Sequence, residues 1–311
     1  MRAVVMREFG PPEVLEPAEV DEVRAGPGEV VIEAEFANVT FVETQIRAGR
    51  APHSSMLPAL PVILGNGTGG TVAGRRVVAS LNGTGGYAER VVADAGRLIE
   101  VPDEVTLRDA VALLADGRTA LSLVGRAGLV AGETVLVEAA GGGVGTLLVQ
   151  LARQAGTRVV ALAGEPGKLA LARDLGADVA VDYRRDDWPD SVRAAVGRVD
   201  VVFDGVGGKV GGAAFGLLGP GGRFYPFGMA SGSFAPVTPE LAESRRITLL
   251  RGGPASAEES AALSRAALGE AAAGRLRPVI GQEFELASAA AAHAAIEARV
   301  TTGKTLLTVP R

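Results

Sequence analysis

The chain has 311 residues, nearly half of them apolar and about a fifth charged, with a net charge of −5. That balance describes a globular chain long enough for two domains and offers no basic footprint for nucleic acid. There is no cysteine, which excludes disulfides, thiolate-held zinc, iron–sulfur clusters and a cysteine nucleophile, and the two histidines, His53 and His293, supply a metal site or a Ser/His/Asp triad poorly.

Charge interrupts Met1 to Arg7 too early for the apolar core of a signal peptide, and no apolar run reaches the length of a membrane span. A soluble, cytoplasmic α/β protein is the expectation.

In chain order, the first hundred residues alternate short β-branched runs with Gly and Pro. Examples are Ala3 to Met6, Glu29 to Glu33, Arg75 to Ala79 and Tyr87 to Val92. Short strands between turn signals predict a β-rich, barrel-like unit. From about residue 108 the texture changes. Helical spacing runs from Asp109 to Arg126, followed by an apolar strand over Thr134 to Ala139, a helix over Val144 to Ala155 and a strand over Arg158 to Ala163. Lys168 to Leu175 reads as a helix closed by Gly176, and strands follow at Asp178 to Asp182, Val199 to Asp204 and Arg223 to Phe227. Continuous apolar strands alternating with amphipathic helices predict a parallel sheet covered on both faces. Near Pro254 the texture changes again. A helix over Ala255 to Ala273 precedes a strand around Val279 to Leu286, a short helix over Ala287 to Arg299 and a last strand, Lys304 to Val309. This β-containing tail is expected to fold back onto the first domain.

The most informative segment is Val135-Leu136-Val137-Glu138-Ala139-Ala140-Gly141-Gly142-Gly143-Val144-Gly145. It reads as a strand, a tight Gly turn and a helix start, and meets the dinucleotide fingerprint in the variant Ala140-x-Gly142-x-x-Gly145. Gly142 lets the backbone approach a pyrophosphate, Gly145 lets the helix pack on its strand, and the amides of Gly143 and Val144 open the helix towards the phosphates. The strand ending in Ala163-Gly164 carries no carboxylate at its tip to repel a 2′-phosphate. Lys168 stands in the first turn of the next helix, and Tyr183 follows the third strand. NADPH is the expected cofactor; the other reading makes Lys168 a solvated helix-start charge and Glu165 the ribose-binding acid.

With these residues in hand, the chain resembles the zinc-free medium-chain dehydrogenases/reductases of the quinone oxidoreductase group over essentially its whole length. The resemblance is carried by Phe9-Gly10-Pro11-Pro12-Glu13-Val14-Leu15, Glu43-Thr44-Gln45-Ile46-Arg47-Ala48-Gly49, Gly85-Gly86-Tyr87-Ala88-Glu89, Arg118-Thr119-Ala120, Arg277-Pro278-Val279-Ile280-Gly281 and Thr301-Thr302-Gly303-Lys304. It implies a GroES-like β-barrel catalytic domain over residues 1–115, a doubly wound Rossmann domain binding NADPH over 116–253, and a return to the catalytic domain over 254–311. The superfamily's zinc-ligand positions fall at Thr40, Asn66 and Ala115, none of them a good zinc ligand, so the implied reaction is metal-free. Thr119 is implied beside the nicotinamide, the backbone at Phe227, Gly228, Leu250 and Arg251 at its carboxamide, and Lys304 at the cofactor or else in a solvated turn. Relatives commonly pair the sheet edge that corresponds to Arg246 to Leu250 across a homodimer.

The acceptor side departs from the family. Thr40 stands for a common Asn, Gln45 for a frequent Tyr, and Asp116 and Arg118 for apolar residues. In one reading Thr40, Asn66 or Gln45 hydrogen-bonds the acceptor oxygen; in the other these are ordinary loop polars and Asp116–Arg118 is a local ion pair. His53 is expected at the surface, while His293 and Trp188 are expected to be structural. The functions in view are hydride transfer to a small quinone or enone, 2-enoyl thioester reduction, and a non-catalytic NADPH-binding role. The Tyr missing at position 45 counts against the second of these.

Overall fold

The computed structural model describes residues 1–51, 53–81, 83–252 and 256–310. Two units divide the chain, one of Met1–Arg118 with Ala257–Arg311 and one of Thr119–Ser256. The expected boundary at residues 253 and 254, and the start of the following helix at Ala255, lie outside the described residues.

In the first unit the chain runs β1 (Arg2–Met6), β2 (Leu15–Glu19), β3 (Glu29–Val39), α1 (Phe41–Arg47), β4 (Val62–Ile63), β5 (Gly67–Val72), β6 (Arg75–Ser80), β7 (Arg90–Asp94), β8 (Ile99–Glu100) and then α2 (Leu107–Ala127). The hub is β3, long enough to hold β7 along its first half and β5 beyond it. Its alternation buries Ile32, Ala34, Ala37 and Val39 in one core with Met6, Leu64 and Tyr87.

The second unit continues with β9 (Thr134–Val137), α3 (Gly143–Gln154), β10 (Arg158–Ala163), α4 (Pro166–Asp174), β11 (Val179–Asp182), α5 (Trp188–Val196), β12 (Val199–Asp204), α6 (Gly208–Phe215), β13 (Leu218–Pro226), α7 (Pro239–Ser244) and β14 (Thr248–Leu249). Its strands lie in the order β11-β10-β9-β12-β13-β14, and every pairing is parallel. Because the order reverses between β9 and β12, the crevice of a doubly wound sheet opens at the carboxyl ends of those two strands. Phe224 is fully buried and stacks edge-on against Phe215 at 5.3 Å, inside a core with Leu136, Val160 and Val202.

The tail supplies α8 (Ala257–Ala272), β15 (Ile280–Glu285), α9 (Ala289–Glu297) and β16 (Lys304–Thr308). Strand β16 pairs antiparallel with β3, Thr305 opposite Val39, so the end of the chain completes the first unit's sheet.

Local differences from the expected boundaries have local causes. Strand β9 ends at Val137, because Ala139 takes a left-handed conformation, φ 49°, to begin the turn. Only Thr248 and Leu249 of the expected edge strand are extended; Arg246, at φ 57°, is still turning out of α7.

Replacing Phe224 by Ala is expected to cost about 3–5 kcal/mol of stability in chemical denaturation. Phe234→Ala, at a half-exposed ring, should stay within about 0.5 kcal/mol.

Candidate functional site

The first turn of the second unit is built by close approach. Leaving β9, Glu138 donates its N–H to the Phe203 carbonyl, Ala140 to Leu162 (3.0 Å) and Gly142 to Ala139 (2.8 Å). Helix α3 then starts with Gly142 as its N-cap, which has no side chain to cap the first turn. The amide groups of Gly143, Val144 and Gly145 therefore have no partner within the helix, while those of Ala140 and Gly142 are already bonded inside the turn. A Cβ at position 145 would run into the carbonyl of Ala139, so only glycine lets α3 lie this close to the strand end.

The tip of β10 lies beside this turn. The stem of Lys168 packs across Gly141, where a Cβ would stand 2.7 Å from the lysine's Cβ and Cγ, and its Nζ is 3.6 Å from Glu165. Its side chain is only 13% exposed, because the stem is buried on the glycine turn. Gly164 faces the Tyr183 hydroxyl and the Arg184 stem, 3.3 and 3.4 Å from where a Cβ would sit. Ala140, Gly142, Gly143, Val144, Gly145, Gly164, Lys168 and Tyr183 thus gather around the strand ends of one sheet. Arg184 joins them unforeseen. Burial opposes ionisation of Asp182, but the Arg184 hydrogen bonds outweigh it and hold that carboxyl below its usual range.

On the other side of the sheet's reversal, Asp204 organises the loops. Its carbonyl accepts the N–H groups of Phe227 (2.9 Å) and Gly228 (3.1 Å), and Leu250 donates to Phe224 (2.8 Å). Of the backbone expected at a carboxamide, the amides of Phe227, Gly228 and Leu250 are therefore already bonded, which leaves their carbonyls as the groups to consider. The Asp204 side chain accepts from Gly207 (2.6 Å) and that of Glu138 from Val206 (3.1 Å). Both acids are fully buried. Burial, and then the charge of Asp204, pushes the Glu138 carboxyl well up; burial also raises Asp204. Sequence reasoning missed both residues, although an acid closing each of two apolar strands was a readable signal.

In the first unit the missed hub is Glu43. Thr40 donates its N–H (2.6 Å) and hydroxyl (3.0 Å) to Oε2, Asn66 its N–H to Oε1 (2.7 Å), and the buried Tyr87 hydroxyl lies 3.2 Å from Oε2 and 3.0 Å from His293 Nε2. Thr40 and Asn66 are brought together by one carboxyl, whereas Gln45 turns its amide to Thr44 (3.1 Å). The Thr40 hydroxyl directs its proton at Glu43 and forms part of the capping box that starts α1. Thr119, half-buried on α2, falls in the second unit. Lys304 is 4% exposed and holds Asp116 at 3.0 Å, which corrects both the solvated-turn reading of Lys304 and the proposed Asp116–Arg118 pair. A buried ammonium needs a counter-charge, and Arg118 instead reaches Ser80 Oγ at 3.4 Å. His53 is exposed, and Trp188 is buried at the start of α5.

Residues 143–267 match the zinc-binding dehydrogenase family. Over 96% of its length the chain is 31% identical to the quinone oxidoreductase of Pseudomonas aeruginosa, covering 97% of that protein. Over 99% it is 30% identical to the 2-haloacrylate reductase of a Burkholderia species, covering 98% of it. The quinone oxidoreductase of Thermus thermophilus, solved also in complex with NADPH, superposes with a TM-score of 0.87 at 35% identity, covering 99% of this chain and all of that one. The chain is a medium-chain dehydrogenase/reductase of the quinone oxidoreductase group.

For a member of a superfamily that includes zinc enzymes, the metal positions matter. Thr40, Asn66 and Ala115 stand where the resemblance puts the ligands, and among the described residues no three His, Asp or Glu side chains cluster as ligands would. Among the described residues, no helix of this medium-chain dehydrogenase/reductase is long and apolar enough to cross a membrane.

His293, fully buried, is held down to about 3 by burial first and then by the Arg47 charge. The unfolded imidazole takes up a proton near 6.5 while the folded one stays neutral. Stability therefore falls as pH drops from about 6.5 towards about 3, at about 1.4 kcal/mol per pH unit for one proton. His293→Gln should flatten that acid limb by one proton, read from denaturation midpoints across the range.

Proposed function

We propose that this chain is an NADPH-dependent reductase delivering hydride, without a metal, to a quinone or an α,β-unsaturated carbonyl compound. The observation that carries the reading is the stem of Lys168 lying on the phosphate turn, with Tyr183 and Arg184 at Gly164 and no carboxylate closing β10. The amides of Gly143, Val144 and Gly145 bind the pyrophosphate at the start of α3, and Lys168, Tyr183 and Arg184 take the 2′-phosphate. The relative named for 2-haloacrylate supports an activated alkene as an acceptor class alongside quinones.

The bound nicotinamide supplies the hydride, and the acceptor's own conjugation spreads the resulting charge, so no Lewis acid is required. What the chain contributes is orientation and exclusion of water. Thr119 packs beside the nicotinamide, and the carbonyls of Phe227, Gly228 and Leu250 receive its carboxamide. Thr40 and Asn66, tied together by Glu43, hold the acceptor, with Gln45 at the margin. The ammonium of Lys304, a residue that the resemblance puts at the cofactor, is bound to Asp116. The protein works in the cytoplasm as a homodimer joined along β14, the edge strand of its sheet, and the elution volume of the purified chain tests the dimer.

Purified protein should oxidise NADPH faster with 1,4-benzoquinone than without, and far less with NADH. No acceleration with either a quinone or an enone would leave a dinucleotide-binding protein without this activity. Lys168→Ala should weaken NADPH binding about 10- to 100-fold, as expected for one charge-assisted phosphate contact, and leave NADH binding unchanged. An unaltered NADPH-to-NADH preference would remove Lys168 from the 2′-phosphate site.

A further inference from the structure

Strands β9 and β12 run parallel with Val137 opposite Phe203, and the next residue on each, Glu138 and Asp204, is an acid. Both side chains are fully buried and lie within hydrogen-bond reach of each other. One oxygen of each carboxyl has a backbone donor, Val206 N–H for Glu138 and Gly207 N–H for Asp204. The other two oxygens, Glu138 Oε1 and Asp204 Oδ2, are buried without any donor. Among the described residues, no cation faces the pair. Arg223 of β13 is bound to Glu133, Arg158 of β10 to the Ala195 carbonyl, Lys168 of α4 lies by Glu165, and Lys209 of α6 is exposed. Two adjacent buried anions without a counter-charge are strongly disfavoured, whereas one proton between the two orphan oxygens satisfies both acids at once.

We propose that Glu138 and Asp204 share a single proton, and that this carboxyl–carboxylate bridge is the tie that holds the loops of the cofactor crevice together. Glu138 directly precedes the turn Ala139 to Gly145. Asp204 holds Phe227 and Gly228 through its carbonyl and Gly207 through its side chain. The bridge therefore joins three loops at the point where the strand order reverses, beneath the site where the reading above places NADPH. It rests on that reading only for the identity of the ligand. Glu138 and Asp204 are positioning residues: neither need touch the cofactor. Burial and the neighbouring acid both raise Glu138, in the direction that the two donorless oxygens call for.

The sign of the pH dependence follows. An unfolded Glu gives up its proton near 4.5, while the folded pair keeps one. Folding therefore takes up a proton above that pH, and the folding equilibrium declines about tenfold per pH unit until the folded pair itself ionises. When it does, the two like charges part the loops and dinucleotide affinity falls.

Glu138→Gln tests this, because its amide supplies a permanent N–H to Asp204 and cannot titrate. Three quantities are read on wild type and variant from about pH 6 to about pH 9: NADPH affinity by fluorescence titration, stability by chemical denaturation, and the infrared carbonyl band of a protonated carboxyl. Wild type is expected to show that band at neutral pH, to lose stability with a slope of one proton, and to lose affinity about tenfold or more at the alkaline end. Glu138→Gln should lack the band, be less steep in stability by one proton, and hold its affinity where wild type loses it. Absence of the band in wild type, or equal pH slopes in the two proteins, overturns the proposal. If Glu138→Gln does not fold, Asp204→Asn supplies the same donor from the other side and is judged by the same readings. Should the chain bind no NADPH at all, the proposed function fails, while the infrared and stability results still decide the shared proton.

Discussion

The carbonyl of Ala139 lies against the backbone of Gly145, and that contact leaves no room for a β-carbon. The cofactor end of the molecule depends on this approach. A parallel strand buried on both faces must reverse into a helix within a few residues, and the helix must come close enough to aim its first amides at the strand end. Ala139 supplies the left-handed residue, Gly142 caps the helix without a side chain, and Gly145 permits the contact. Any larger residue at 145 would lift α3 away from the strand and redirect the amides of its first turn.

Each unit also solves a second problem, which is how to satisfy its buried polar groups. It does so with a few buried acids, two of which serve several donors each. Glu43 gathers Thr40, Asn66 and Tyr87; Asp116 neutralises Lys304; Asp204 collects the loop amides that follow β12 and β13. Each arrangement fixes loops that helices and strands alone leave unspecified. Buried charge is costly unless paired or protonated, so these positions tolerate few substitutions.

Much of this was legible in the chain. Val199–Asp204 is a strand with the expected ends, and the run from Thr134 through the Gly turn into α3 differs where Ala139 begins to turn and by one residue at each end of the helix. These segments are continuous apolar runs punctuated by glycine, and both signals are local. The edge strand β14 was read as longer than it is, because the left-handed Arg246 is imposed by the end of α7. The partner of Lys304 was out of reach, since Asp116 lies 188 positions away. Arg184 was passed over because its place beside Gly164 depends on how β11 ends against β10.

By itself the sequence determined the parallel sheet, the phosphate turn, the lack of thiolate ligands and the absence of an acid at the end of β10. Each follows from periodicity, composition or a glycine at a fixed spacing. Tertiary structure alone decided which polar groups meet. It set Glu138 beside Asp204, Lys304 on Asp116, Tyr87 on His293, and the amides of Phe227 and Gly228 on Asp204 rather than free. The physical reason is range. Backbone conformation answers to neighbours a few residues away, whereas the charge state and partners of a buried side chain answer to whatever the fold brings within a few ångströms.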